Sequence, residues 1–265
     1  MKYKILFIVF LCIMPLSLLA QSEDVAIMSC TYTAFFVNNP KKNKVHDDEM
    51  ILEIGKKYSR FYSVWEDSII RVRKEKFAQG MSMEEYRKSI QGLPRSYQFY
   101  EVEKFMDRKI ISFSDRPLTE YYRYEETMER PAWKMEASQE MIAGYHCQKA
   151  SARFRGRDWT VWFTPEIPLS DGPWKLWGLP GLILKAEESE KQFSFICIGI
   201  QQYDPPKIMR KRIENPVKCT ATAYKKLMEE YSKDFDSLLF KELGYREPLQ
   251  PGQKTRKFIY NPMER

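Results

Sequence analysis

Histidine is almost missing from this chain, with two in 265 residues, His46 and His146. His46 stands in a polar stretch with Asp47 and Asp48 that reads as a solvated loop or a weak, adventitious metal contact. His146 precedes Cys147 in a strand-like run, which sends the two side chains to opposite faces and excludes a local nucleophile–base pair. GxSxG, HExxH, Walker and GxGxxG motifs in their required contexts are absent. The adjacent carboxylates Glu125-Glu126 and Glu187-Glu188 fall in strand patterns, on opposite faces, unlike an acid/base dyad. CxxC is absent as well, so neither a zinc site nor a thioredoxin-like centre is expected, and no metal or cofactor is implied. The chain has no Ser/Gly linker, repeat or low-complexity run, which argues for one domain. Past the first twenty residues no apolar run approaches 18, so the rest of the chain is not expected to span a membrane.

What is present begins with MKYKILFIVFLCIMPLSLLA. Two lysines, an apolar stretch from Ile5 to Pro15 and a small residue at Ala20 follow the order of a secretory signal peptide. Residues 1–20 are therefore expected to be removed, residues 21–265 to form a single domain, and the protein to be periplasmic or secreted. Cleavage lowers the formal charge from +7 to +5 and leaves four cysteines, Cys30, Cys147, Cys197 and Cys219. An even number in an exported chain predicts disulfides, with three possible pairings. The basic runs 41–44 and 210–212 read as solvated loops. Nothing resembles a nucleic-acid-binding motif, so no nucleic-acid partner is expected.

Aromatic residues make up 14% of the chain, enough for a large core with strand-rich patterning. Strands are predicted at 25–37, 50–54 and 58–64, then at 97–104, 108–114, 119–127, 131–137, 140–153, 157–164, 181–187 and 191–203. Helical spacing predicts helices at 65–77 and 83–91, the second opened by a capping box at Ser82 and Glu85. A third is predicted over 220–243, where apolar positions from Tyr224 to Leu239 recur at threes and fours before Gly244. Phe258 and Tyr260 are expected to pin a proline-rich tail. The run 193–200 is apolar on both faces, predicting a central strand covered on two sides. The predicted fold is mainly β: an antiparallel meander forming a curved sheet or open half-barrel, with two short helices inserted near the start and one long C-terminal helix.

The segment from Gly172 through Trp174, Lys175, Leu176, Trp177, Gly178, Leu179, Pro180, Gly181 and Leu182 to Ile183 contains the string GLPGLI. With Gly144-Tyr145-His146-Cys147, Gly156-Arg157 and the closing Asn261-Pro262-Met263-Glu264, it resembles the GLPGLI family of exported Bacteroidota proteins. That resemblance implies membership and leaves the biochemical role unassigned. Physically, the glycines permit positive φ or close backbone approach and Pro180 fixes its own φ, giving a rigid turn with Trp174 and Trp177 packed over the sheet. Exposed tryptophans would instead make residues 174 and 177–183 the lip of a pocket or a docking patch.

These readings favour a non-catalytic binding or carrier protein with an apolar concave surface, holding a lipid or peptide ligand. The alternative is an accessory protein docked on an outer-membrane transporter or envelope complex. A hydrolase whose site is assembled from distant residues stands third.

Overall fold

The computed structural model describes residues 24–92, 94, 96–236, 240 and 259–265. The expected signal peptide, the helical reading beyond residue 236, Gly244 and Phe258 lie outside the described residues, Phe240 apart. The chain opens with β1 (Val25–Val37), β2 (Val45–Gly55) and β3 (Ser59–Ser63), followed by α1 (Val64–Ala78) and α2 (Met83–Ser89). The meander resumes with β4 (Glu101–Phe105), β5 (Ile110–Asp115) and β6 (Tyr122–Thr127). It then crosses to β7 (Lys134–Ile142), β8 (Tyr145–Phe154), β9 (Arg157–Thr164), β10 (Leu182–Glu188) and β11 (Phe193–Ile208). The short β12 (Val217–Lys218) and α3 (Ala221–Lys233) complete it. All twelve strands form one open sheet, ordered β12-β6-β5-β4-β3-β2-β1-β11-β10-β9-β8-β7, antiparallel except where β12 joins β6.

Because strand side chains alternate, register sorts the residues into two faces. Leu52, Phe61, Val102, Phe113 and Tyr124 are cross-strand partners in succession and form one apolar row of the core. One position along, Glu53, Arg60, Glu103 and Ser112 make a polar row on the other face. α1 packs near β2 and β3. It is capped by Ser63, whose hydroxyl accepts from the Glu66 amide at 3.1 Å. The capping box at Ser82 forms as its spacing predicts, with Glu85 accepting from the Ser82 amide at 2.9 Å. α3 turns Tyr224, Met228 and Tyr231 toward the apolar face, and the Tyr224 ring meets those of Phe113 and Tyr124 at 5.8 and 5.6 Å.

Several expectations change. The break between β7 and β8 falls at Ala143 and Gly144 rather than near 138–139. Their φ values of 48° and 86° make the tight turn that matches strand twist. His46 lies within β2, its ring 4.4 Å from that of Tyr97, and not in a loop. β11 is central, but Ile198 is 57% exposed and Ile196 only half-buried, so the strand is not fully covered on both sides.

Among the described residues the four cysteines are free thiols rather than disulfides. Cys30 and Cys197 sit on neighbouring strands, yet Cys197 is paired with Tyr32, leaving the two thiols two residues out of register. Cys147 is three strands away in β8, and Cys219 follows β12 at the far edge. With strands ~4.8 Å apart, such offsets exceed the roughly 7 Å Cα separation a disulfide tolerates.

Candidate functional site

The loop from 165 to 181, between β9 and β10, turns back over the apolar face of the sheet. Gly181 enters β10 where an added Cβ would lie 2.2 Å from the Thr164 carbonyl oxygen, so only glycine fits. Gly178 answers a different need, a φ of +96°. The two glycines thus divide the roles their shared motif suggests. The indole of Trp177 donates to the Glu129 carbonyl at 2.8 Å, and that of Trp133 donates to the Trp177 carbonyl at 2.8 Å, strapping the loop to the β6–β7 crossing. Trp174, with φ of 51°, packs 5.5 Å from Trp159 and 6.1 Å from Phe154.

Trp174 is 1% and Trp177 8% exposed. Gly178, Leu179, Gly181, Leu182 and Ile183 are buried as well, and Pro180 alone of the predicted segment is exposed. The exposed-lip reading is therefore corrected: these side chains complete the core, as the rigid-turn reading expects. Of the eight predicted binding residues, only Trp174 reaches the wall of the principal cavity.

That cavity, of about 750 Å³, lies between the concave face at β5 and β6, helix α3 and residues 259–264. Tyr100, Phe113, Tyr124, Tyr224, Met228 and Tyr260 supply much of its wall. Aromatic rings in contact, including Tyr100 with Phe113 at 5.9 Å and Phe113 with Tyr124 at 5.2 Å, make that wall stiff as well as apolar. Asp115 in that wall is held on two sides. Tyr224 donates a short hydrogen bond to Asp115, and the Arg116 amide donates to the same carboxyl at 2.7 Å. Burial nevertheless raises the Asp115 pKa.

One end of the cavity is closed by a charged cluster. Lys175, wholly buried in the motif loop, donates to Glu126 at 2.6 Å, to the Tyr124 hydroxyl at 3.1 Å and to Glu264. Arg155 adds ion pairs to Glu126 at 3.0 Å and Glu264 at 3.4 Å. Beside them Arg157 donates to the Pro262 carbonyl at 2.7 Å and to the Asn261 side chain at 3.0 Å. The Arg265 amide donates to the Arg155 carbonyl at 3.0 Å. A Cβ on Gly156 would meet Arg265 at 2.8 Å. The 155–157 turn and Lys175 thus grip residues 261–265 and seat Tyr260, Pro262 and Met263 against the cavity.

Lys104 forms a similar anchor beneath the loop. It donates to the Gly172 carbonyl at 2.5 Å and forms a short ion pair with Asp171. Burial lowers its pKa despite that partner. The sequence does not mark Lys104, Asp115, Lys175 or Tyr224 as site residues. Lys175 carried one signal, a lysine inside an otherwise apolar motif.

The two histidines do not enter the cavity wall, and among the described residues no cluster of three or more His, Cys, Asp or Glu is placed to hold a metal ion. No helix among them is long and apolar enough to cross a membrane.

Residues 155–185 match the model of a family described as a protein of unknown function (Porph_ging). The matched stretch runs from the Arg155 turn through the motif loop into β10, and so contains the cations that hold the C-terminal residues. No curated protein matches the chain. Among solved structures, it is similar to PNGF-II in a P21 crystal form, with a TM-score of 0.52 and 15% identity over 80% of this chain and 34% of that one. A C2 crystal form of PNGF-II gives 0.52 and 15%, over 77% and 33%. The chain spans about a third of the length of those structures, and at this identity the likeness is one of fold.

Proposed function

We propose that this protein is an exported, non-catalytic binding or carrier protein whose ligand, a lipid or peptide with a substantial apolar part, occupies the cavity between the sheet, α3 and residues 259–264. The observation that carries this reading is the cavity itself. Its volume of about 750 Å³ falls within the range of roughly 300–1,000 Å³ found for small-molecule sites, and ten aromatic residues stand among the 27 that line it. Asp115, Glu126, Arg155 and Glu264 in its wall are already paired, which suits retention of a ligand better than proton transfer to one.

Export is supported by the n-region, h-region and small-residue order of residues 1–20. Free thiols are compatible with an oxidising envelope, because burial raises the Cys147 and Cys197 pKa to about 11 and leaves little thiolate for exchange. The string at 178–183 supports grouping under the GLPGLI name. Docking of the loop on an envelope complex is the weaker reading, since Trp174 and Trp177 would have to leave the core.

The test is to purify the protein natively after export, extract it with organic solvent and identify released molecules by mass spectrometry. A stoichiometric lipid or peptide, absent from a variant with Met228→Trp filling the cavity, supports the proposal. An empty wild-type protein that also fails to bind added lipid or peptide overturns it.

A further inference from the structure

The basic run 210–212 does not behave as one solvated loop. Arg212 is buried, its Nε donating to Asp67 at 2.6 Å and its Nη1 to Glu101 at 2.5 Å, whereas Arg210 and Lys211 are exposed. Arg60, on the polar row of β3, reaches the same place. Its Nη2 donates to Glu53 at 2.5 Å and its Nη1 to the Arg210 carbonyl at 2.6 Å. Both guanidinium groups lie over the Tyr62 ring, Arg212 at 3.8 Å and Arg60 at 5.0 Å from its centre.

A groove of about 610 Å³ opens here between α1 and residues 207–212. Seven cationic side chains line it, among them Arg60, Lys207, Arg210 and Lys211, against the three carboxylates Glu53, Asp67 and Glu75. Glu53 is paired with Arg60 and, at 3.5 Å, with Lys207, and Asp67 is paired with Arg212 and, at 3.3 Å, with Arg71. Glu214 nearby is engaged by Lys74 at 2.7 Å, which leaves the groove's sign unchanged. The Nε of Arg60, on a side chain only 4% exposed, is buried with no hydrogen-bond partner. Arg210 and Lys211 form no side-chain hydrogen bond or ion pair among the described residues.

We propose that this groove is a second binding site, separate from the aromatic cavity, and that it takes phosphate groups. A concave wall with excess positive charge concentrates field on an entering anion. The carboxylates and the Tyr62 ring hold the two buried guanidinium groups in place, so their charge stands fixed beside the groove without further loss of side-chain freedom. Arg210 and Lys211 supply exposed positive charge at the mouth. The planar fork of the exposed Arg210 offers several donors, which match phosphate oxygens better than a single point charge does. The phosphates could be those of a soluble molecule or of a lipid headgroup, and the chemistry that recognises them is the same.

Calorimetric titration of the full chain with sodium pyrophosphate, and flotation with phosphatidylcholine vesicles containing phosphatidylglycerol, separate these sources. The comparison protein is the double variant R210E/K211E, which changes two exposed side chains and is expected to unfold at the wild-type temperature. Saturable pyrophosphate binding that weakens at least tenfold in the double variant, and falls with added salt, supports the site with a soluble ligand. Vesicle binding lost in the double variant supports it with a headgroup as the source. Binding to neither, or binding that R210E/K211E leaves unchanged while the variant folds normally, overturns it. Apolar ligand capture in the main cavity is a separate readout.

Discussion

Lys175 is fully buried in the loop between β9 and β10, and its ammonium is bonded to the carboxylate of Glu264, 89 residues further along the chain. The same ammonium holds Glu126 of β6. One lysine therefore ties the motif loop, the sheet and the C-terminal residues together beside the cavity. Removing one partner of such a buried group leaves charge uncompensated, which costs more than the pair contributes.

Lys175→Met is accordingly expected to lower stability by about 3–5 kcal/mol, measured by urea unfolding. Deleting residues 261–265 should cost less on the Lys175→Met background than on the wild type, because both changes break the same cluster. A wild-type unfolding midpoint for Lys175→Met would contradict the clamp.

Two glycines give opposite expectations. An alanine Cβ at Gly181 would overlap the Thr164 backbone, so Gly181→Ala should destabilise by about 1–3 kcal/mol. At Gly199 in β11 nothing lies within 4 Å of the added Cβ. Gly199→Ala should be neutral or stabilise by up to about 1 kcal/mol, through lost freedom of the unfolded chain. Equal melting temperatures for the two variants would remove the close-approach account of the motif.

The pH dependence has a defined sign. Burial raises Asp48 to about 6, outweighing hydrogen bonds from Ser96 and Ser63. Burial and then Glu101 raise Glu103 to about 7. Each carboxyl holds its proton more tightly folded than unfolded, where the pKa values are about 3.9 and 4.3. The stabilisation is complete below those unfolded values and is lost as the pH rises through about 6 and 7. Asp115 shifts in the same direction through burial. The urea midpoint should thus rise as the pH falls from 7.5 to 5, and Asp48→Asn should flatten the part of that slope near 6. A midpoint that falls over this interval would oppose the assignment.

Cys30, Cys147, Cys197 and Cys219 should all react with a thiol reagent in denaturant without prior reduction. In the native protein Cys219, the one not fully buried, should react first. Fewer than four reactive thiols among these positions, by mass spectrometry of the labelled peptides, would show that a disulfide exists after all.

Much of the fold was legible because local patterns set it. The alternation of Trp159, Val161 and Phe163 placed β9 at 157–164, and Ser82 with Glu85 opened α2. Cysteine count and an expected export leader suggest pairing of the thiols, whereas register decides it, and Cys30 and Cys197 miss each other by two residues. The site was the least legible part. Lys175, Glu126 and Glu264 come from three distant segments, and no local period marks residues that meet only after the sheet has curved and the tail has returned. The tryptophans were prominent in sequence for their packing, which hides Trp177 from the cavity and leaves Trp174 as a wall.

The central claim is that the aromatic cavity receives an apolar ligand, and titration of the delipidated protein with a long-chain fatty acid, followed by tryptophan fluorescence, tests it most directly. Trp174 in the wall serves as the reporter. The account predicts saturable binding to a single site, at least tenfold weaker in Met228→Trp. An absence of saturable binding, or binding that Met228→Trp leaves intact, would contradict it.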